Sequence, residues 1–248
     1  MKAIAIIPAR YKSTRFPGKP LAKLGAKYII QHVYERVQSS GLFTEVVVGT
    51  DDQRIFEAVE SFGGKVVLTS KEHESGTDRV AEVCRKLPCC SDTDVVVNVQ
   101  GDEPFISREP LKKLMAAFDD PVVRVASLMH SMKKNFDDPN SVKVVCDKNK
   151  YALYFSRSVI PFEQNNKLEQ KPEYFRHIGI YAFRRGILFR FVEMPQGKLE
   201  RIEKLEQLRL LENGIKIKMI ETDYEGIGID TPQDLEKAEK MIAAKSYE

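Results

Sequence analysis

With 248 residues, the chain has room for one large α/β domain, or one domain with a substantial insertion, around a real buried core. Its 39 basic and 36 acidic residues leave a net charge of +3, too balanced for a dedicated nucleic-acid binder, so an anionic substrate must be held by a few placed cations. No run is long enough for a transmembrane helix, and the short apolar start lacks the longer core of a secretory signal, so the sequence reads as cytoplasmic with no membrane partner.

Strand and helix signals alternate through the first half. Ala3–Ile7 is a continuous apolar run ending at Pro8, and Tyr28–Val37 has helical spacing closed near Gly41. Glu45–Val48 reads as a strand, and Ile55, Val59 and Phe62 mark a helix stopped by Gly63-Gly64. Strand Lys65–Leu68, helix Val80–Leu87, strand Asp94–Val99 and helix Leu111–Phe118 follow. Apolar runs this continuous suit strands covered on both faces, so the order predicts a mostly parallel, doubly wound α/β sheet. The middle, Val122–Phe183, is strand-rich and less regular, with strand patterns at Val142–Val145 and Ile178–Phe183. Between these two lies an exposed polar loop over Glu163–Pro172. Leu199, Ile202, Leu205, Leu208 and Leu211 predict one helix ending at Asn213-Gly214, before a strand over Ile215–Ile220. Thr231-Pro232 opens the last helix, with Thr231 as N-cap and Pro232 in first position. One catalytic domain with a β-rich insertion is the simplest account. Cys84, Cys89, Cys90 and Cys146 contain no Cys-x-x-Cys pair and read as free thiols.

Five constellations carry candidate chemistry. After the first strand come Pro8-Ala9-Arg10, then Ser13 and the cations Arg15 and Lys19. Ligands of open α/β sheets sit beyond the C-terminal strand ends, so this loop suits a triphosphate. It also reads as a solvated basic turn, and it matches neither a P-loop nor a dinucleotide fingerprint. Asp102, in Gln100-Gly101-Asp102-Glu103-Pro104, could hold Mg²⁺ or simply bond its own turn. Asp230 precedes a helix whose cap and first position are already filled by Thr231 and Pro232, which leaves it without a local task. Two single carboxylates from distant segments are what Mg²⁺ bound mainly through substrate phosphates requires. Ser75-Gly76-Thr77-Asp78-Arg79 allows close approach to a base, and it equally reads as a helix cap. In the second half, Arg157, His177, Tyr181, Glu206 and Gln207 each have an ordinary structural reading, as surface cation, strand residues or solvated helix face. His32, His73 and His130 belong to no cluster and read as structural.

Together these segments closely resemble the 3-deoxy-manno-octulosonate cytidylyltransferase (CMP-Kdo synthetase) family. The resemblance runs through the Ile7–Leu21 segment, Ser75–Arg79, Val99–Pro104, Tyr154–Arg157, His177–Tyr181, Leu205–Arg209 and Gly228–Pro232, in that order and over nearly the whole chain. It implies a nucleotide-diphospho-sugar transferase-like α/β fold. The nucleotide-binding part would span about 1–130 plus 221–248, and a sugar-binding and dimerisation part about 131–220. The reaction it implies is CTP plus 3-deoxy-D-manno-octulosonate (Kdo) giving CMP-Kdo and diphosphate, for lipopolysaccharide assembly, by a homodimer. Asp102 and Asp230 would hold Mg²⁺, while Arg15 and Lys19 would offset charge on the leaving diphosphate. Pro8, Ala9, Arg10, Ser13, Ser75, Gly76, Asp78 and Arg79 would complete the CTP site. Gln100, Arg157, His177, Tyr181, Glu206 and Gln207 would bind the sugar, with Arg157 on its carboxylate. Rival readings are activation of another acid sugar, a non-catalytic CTP sensor and a nucleic-acid binder.

Overall fold

The first apolar run forms strand β1, Ala3–Ala9, in the computed structural model, which describes residues 2–13, 15–87, 91–164 and 172–245. Cys89, Cys90, Thr14 and most of the polar stretch 163–172 lie outside the described residues. The chain divides into two compact units, Met1–Glu109 with Gly226–Glu248, and Pro110–Glu225.

In the first unit β1 leads to a two-stranded hairpin, β2 (Lys23–Leu24) and β3 (Lys27–Tyr28). Helix α1 (Ile29–Ser39) buries Ile29, Ile30, Val33, Tyr34 and Val37, the spacing of one helical face. Strand β4 (Glu45–Thr50), helix α2 (Gln53–Ser61), strand β5 (Val66–Leu68), helix α3 (Gly76–Lys86) and strand β6 (Val95–Asn98) follow. Helix α3 starts four residues before the apolar pattern shows it, because Ser75 and Asp78 cap it. The strands lie in the order β6-β1-β4-β5, and every neighbouring pair is parallel. Ala3–Ile7, Val46–Thr50 and Val95–Asn98 are buried at successive positions, so the sheet is covered on both faces. The chain runs outward from β1 to β4 and β5, then returns to β6 on the other side of β1. The loops after β1 and β6 therefore diverge at the reversal of strand order, where open α/β sheets form a crevice.

The second unit takes most of helix α4 (Arg108–Ala116), then strands β7 (Val125–Met132), β8 (Lys143–Cys146), β9 (Ala152–Ser156) and β10 (Tyr174–Arg184). Helices α5 (Arg185–Glu193), α6 (Lys198–Glu203) and α7 (Leu208–Glu212) precede strand β11 (Lys218–Glu221). Strand β10 pairs antiparallel with β7 and β8, β8 with β9, and β11 runs parallel to β7. The β10–β7 register shifts between Ile178 and Tyr181.

The single helix expected over Leu199–Leu211 is two helices, broken at Lys204, whose φ is 54°. The cause is a buried ion pair. Arg209 Nε and Nη2 donate to Glu200 Oε2 and Oε1 at 2.8 and 2.6 Å. Nine residues of continuous helix would hold them about 13.5 Å apart along the axis. The turn at Lys204 brings them together, and Ile202 is left exposed off the leucine pattern.

Helix α8 (Pro232–Lys245) belongs to the first unit, where Ile229 and Ala238 pack with Leu24 and Ile29. Cys84 is buried and Cys146 half-buried, both as free thiols. No helix of the described residues is long and apolar enough to cross a membrane.

Candidate active site

The crevice beyond β1 and β6 holds a cavity of about 240 Å³ within the first unit. Its floor is the end of β1, Pro8-Ala9-Arg10, and the turn Gln100-Gly101-Asp102 after β6. Gly101 is needed for that approach, because a Cβ there would sit 2.9 Å from the Pro8 carbonyl oxygen. The loop after β1 folds back through Gly18, whose N–H donates to the Tyr11 carbonyl at 2.9 Å. At φ 72°, with the Tyr11 ring 3.0 Å from where a Cβ would stand, this position also favours glycine. The turn begins a short 3₁₀ helix, Lys19–Leu21, and aims Lys19 inward.

Lys19 joins the two carboxylates that the sequence singled out. Its Nζ donates to Asp102 Oδ2 at 2.5 Å and to Asp230 Oδ1 at 3.0 Å. Arg15 Nη2 meets the other Asp230 oxygen at 3.1 Å. The Ile229 N–H donates to the Asp102 carbonyl at 2.9 Å, which fixes the two chain segments side by side. Burial pulls the Lys19 ammonium down, yet Asp102 and then Asp230 outweigh it, and its pKa stands above the ordinary lysine value. Asp230 is available because Asp234 serves the helix: Asp234 Oδ2 accepts from the Thr231 N–H and hydroxyl, and the Asp234 N–H donates to Thr231 Oγ1.

The other wall comes from the start of α3. Ser75, Gly76 and Arg79 line the cavity with Arg10, Ser13 and Pro20. Ser75 and Asp78 close a reciprocal cap: Ser75 N–H donates to Asp78 Oδ2 at 3.1 Å and Asp78 N–H to Ser75 Oγ at 3.0 Å. Asp78 itself is not among the lining residues. Arg79 is buried and turns to Asp51 at 3.4 Å, with Thr69 a further partner. Burial lowers its pKa, against the pull of Asp51. Arg10, Arg15, Lys19 and Arg79 line the cavity with Asp102 and Asp230, and with Arg79 paired to Asp51 three cations still face two carboxylates, a surplus suited to a polyphosphate.

Sequence reasoning missed His73, which was read as structural and instead lines this cavity, bonded to Glu82. Nothing in a lone histidine signals this. Only its place two residues before Ser75 could have done so. Gln100, expected among the sugar contacts, also lines this first-unit cavity.

The remaining sugar-site candidates lie in the second unit. Arg157 donates from Nε to the Glu203 carbonyl at 2.8 Å and from Nη1 to the Pro139 carbonyl at 2.9 Å, with a longer bond to Lys204. His177 Nε2 meets Ser127 Oγ at 3.0 Å, and its ring contacts Phe155 and Tyr181. Burial, with Arg176 adding to it, drives the His177 pKa down to about 3, so the ring is neutral at physiological pH. Gln207 Nε2 is buried with no hydrogen-bond partner among the described residues, and the buried Tyr181 hydroxyl has Ser127 beside it. Burial, then the charge of Glu206, pushes the Tyr181 phenol well up. Gln207, expected on a solvated face, is 6% exposed. A buried donor left unpaired, as at Gln207, calls for a polar partner such as water or a ligand.

A family model of cytidylyltransferases matches residues 4–217. The chain belongs to the cytidylyltransferase family. Within it, the chain is 51% identical to the 3-deoxy-manno-octulosonate cytidylyltransferase of Bacteroides thetaiotaomicron, over 99% of this chain and all of that one. It is 52% identical to the enzyme of that name from Thermodesulfovibrio yellowstonii, over 98% of both chains. A solved structure of a CMP:2-keto-3-deoxy-manno-octonic acid synthetase in complex with CTP superposes with a TM-score of 0.93 at 44% identity, covering 99% of this chain and all of that one. The resemblance read from the seven segments therefore extends over the full cytidylyltransferase chain, and so does the α/β fold it implied.

Proposed function

We propose that this cytidylyltransferase joins CTP to Kdo, giving CMP-Kdo and diphosphate. The observation that carries the reading is the convergence of Asp102 and Asp230 on one cationic nitrogen, in a cavity ringed by further cations. The names of the relatives supply the substrates. In the reaction the anomeric hydroxyl oxygen of Kdo forms a bond to the α-phosphorus of CTP. The bond from that phosphorus to the β-phosphate oxygen breaks, and the hydroxyl proton is lost to solvent.

The donor set suits Mg²⁺. Two carboxylate oxygens within 3.0 Å of one point already face a shared cation, and one or two carboxylates with phosphate oxygens and water are its usual ligands. Among the described residues no group of three or more His, Cys, Asp or Glu forms a self-sufficient metal site. Asp102 and Asp230 would hold the ion, which when bound lowers the pKa of the attacking hydroxyl and offsets charge at phosphorus.

The chain's own residues do the rest. Arg10 and Ser13 position the triphosphate, and Arg15 with Lys19 neutralises the leaving diphosphate. Pro8, Ala9, Ser75, Gly76 and Arg79 border the nucleoside, with Asp78 acting through the cap it makes with Ser75. Gln100, His177, Tyr181, Glu206 and Gln207 bond sugar hydroxyls, and Arg157 offers its remaining N–H donors to the sugar carboxylate. Catalysis is then mainly positioning and electrostatics. The reading places the enzyme in the cytoplasm, as a homodimer, feeding lipopolysaccharide assembly. Diphosphate release with purified protein, Mg²⁺ and CTP, against a panel of acid sugars, tests it. Release should require Kdo, whereas release with another sugar alone moves the substrate, and none with any sugar sinks the enzymatic reading.

A further inference from the structure

His73 lines the cavity beside Ser75, Gly76 and Arg79 and has no part in the chemistry above. Its ring is held from one side: Nε2 bonds to Glu82 Oε2, and this is its one hydrogen bond among the described residues. Glu82 is itself fixed. Its Oε2 accepts the Ser70 N–H at 2.9 Å, and its Oε1 pairs with Lys86 Nζ at 2.7 Å. Burial opposes ionisation of Glu82, but Lys86, the Ser70 N–H and His73 prevail and bring its pKa to about 2. An ionised carboxylate only accepts, so Nε2 must donate. In the neutral imidazole the other nitrogen, Nδ1, then carries a lone pair and can only accept.

We propose that His73 is a specificity-determining residue: its Nδ1 accepts a hydrogen bond from the exocyclic amine of cytosine and so favours CTP over UTP. This rests on the reading of the cavity as a CTP site. Uracil carries a carbonyl oxygen where cytosine carries the amine, and two lone pairs would then face each other with neither satisfied. Glu82 is the positioning residue, since it fixes the tautomer without touching the base.

The test is equilibrium binding of CTP and of UTP, with Mg²⁺, to the wild type and to His73→Gln and His73→Asn. Glutamine keeps a donor where Nε2 stands and so keeps the Glu82 bond, but it places nothing at Nδ1. Asparagine keeps an acceptor at the Nδ1 position. Wild type should prefer CTP. His73→Gln should lose roughly tenfold of that preference, through weaker CTP binding and UTP binding that is no worse than in the wild type, with the melting temperature unchanged. His73→Asn should retain the larger share of the preference. A His73→Gln variant with the wild-type CTP-to-UTP ratio, or one that loses both nucleotides alike, overturns the assignment. Kdo-dependent diphosphate release by the wild type, run in parallel, judges the underlying reaction separately. A CTP preference that vanishes in His73→Gln supports the assignment even if that release fails.

Discussion

Helices α3 and α8 begin with the same four-residue device and do different work. Ser75-Gly76-Thr77-Asp78 and Thr231-Pro232-Gln233-Asp234 both make a reciprocal cap, hydroxyl to N–H one way and carboxylate to N–H the other. At α3 the second residue is glycine, and it lines the cavity with the cap residue Ser75. At α8 the second residue is proline, which has no N–H to offer, and the cavity is met instead by Asp230, one residue before the cap. A cap therefore says where a helix starts. The residue beside it decides whether the helix start presents donors or a carboxylate.

Several substitutions would break or sharpen that contrast. The largest effect belongs to the partner of Asp230. Asp102→Asn should lower Kdo-dependent turnover on the order of 10²–10³-fold. Its urea midpoint should stay near wild type, because the side chain is partly solvated. Exchanging the second residue at α3, Gly76→Pro, removes one N–H from the cavity wall. Ser75 already has the extended backbone that precedes proline, with φ −120° and ψ 162°. The fold should hold, and CTP affinity measured by calorimetry should fall roughly tenfold. Asp78→Ala should cost about 1 kcal/mol of unfolding free energy by loss of the cap, read from urea titration. The smallest effect is in acid. Glu82 has its pKa depressed to about 2, so its contribution is complete above about pH 4.5 and is lost as pH falls toward 2. Glu82→Gln should flatten the pH dependence of the melting temperature in that window alone.

The contrast also explains what could be read from the sequence. Asp230 was legible by elimination: Thr231 and Pro232 filled the cap and first position, and the structure supplies Asp234 to complete the cap. The parallel sheet was legible because β1, β4 and β6 carry continuous apolar runs, Ala3–Ile7, Val46–Val48 and Val95–Val97, and not alternating ones. Asp78 was ambiguous in sequence, since a cap and a ligand contact use the same residue. The break at Lys204 was hidden because the leucine spacing continues across it, and only the Glu200–Arg209 contact requires it. His73 was hidden for another reason. Its position depends on Glu82, nine residues on and one face down α3, a pairing with no local pattern. Tyr181 and Gln207 fall between these cases: the family resemblance pointed to them, but the burial of both side chains becomes visible only in three dimensions.

The most direct test of the account sets Asp230→Asn against Asp234→Asn in the same assay, diphosphate release from CTP with and without Kdo, with melting temperatures recorded alongside. The account predicts that Asp230→Asn melts near wild type and loses turnover on the order of 10²–10³-fold, while Asp234→Asn, whose amide oxygen still accepts from Thr231 but lacks the charge at the helix start, keeps most of its turnover and melts at or slightly below wild type. Near-normal turnover in Asp230→Asn would contradict it.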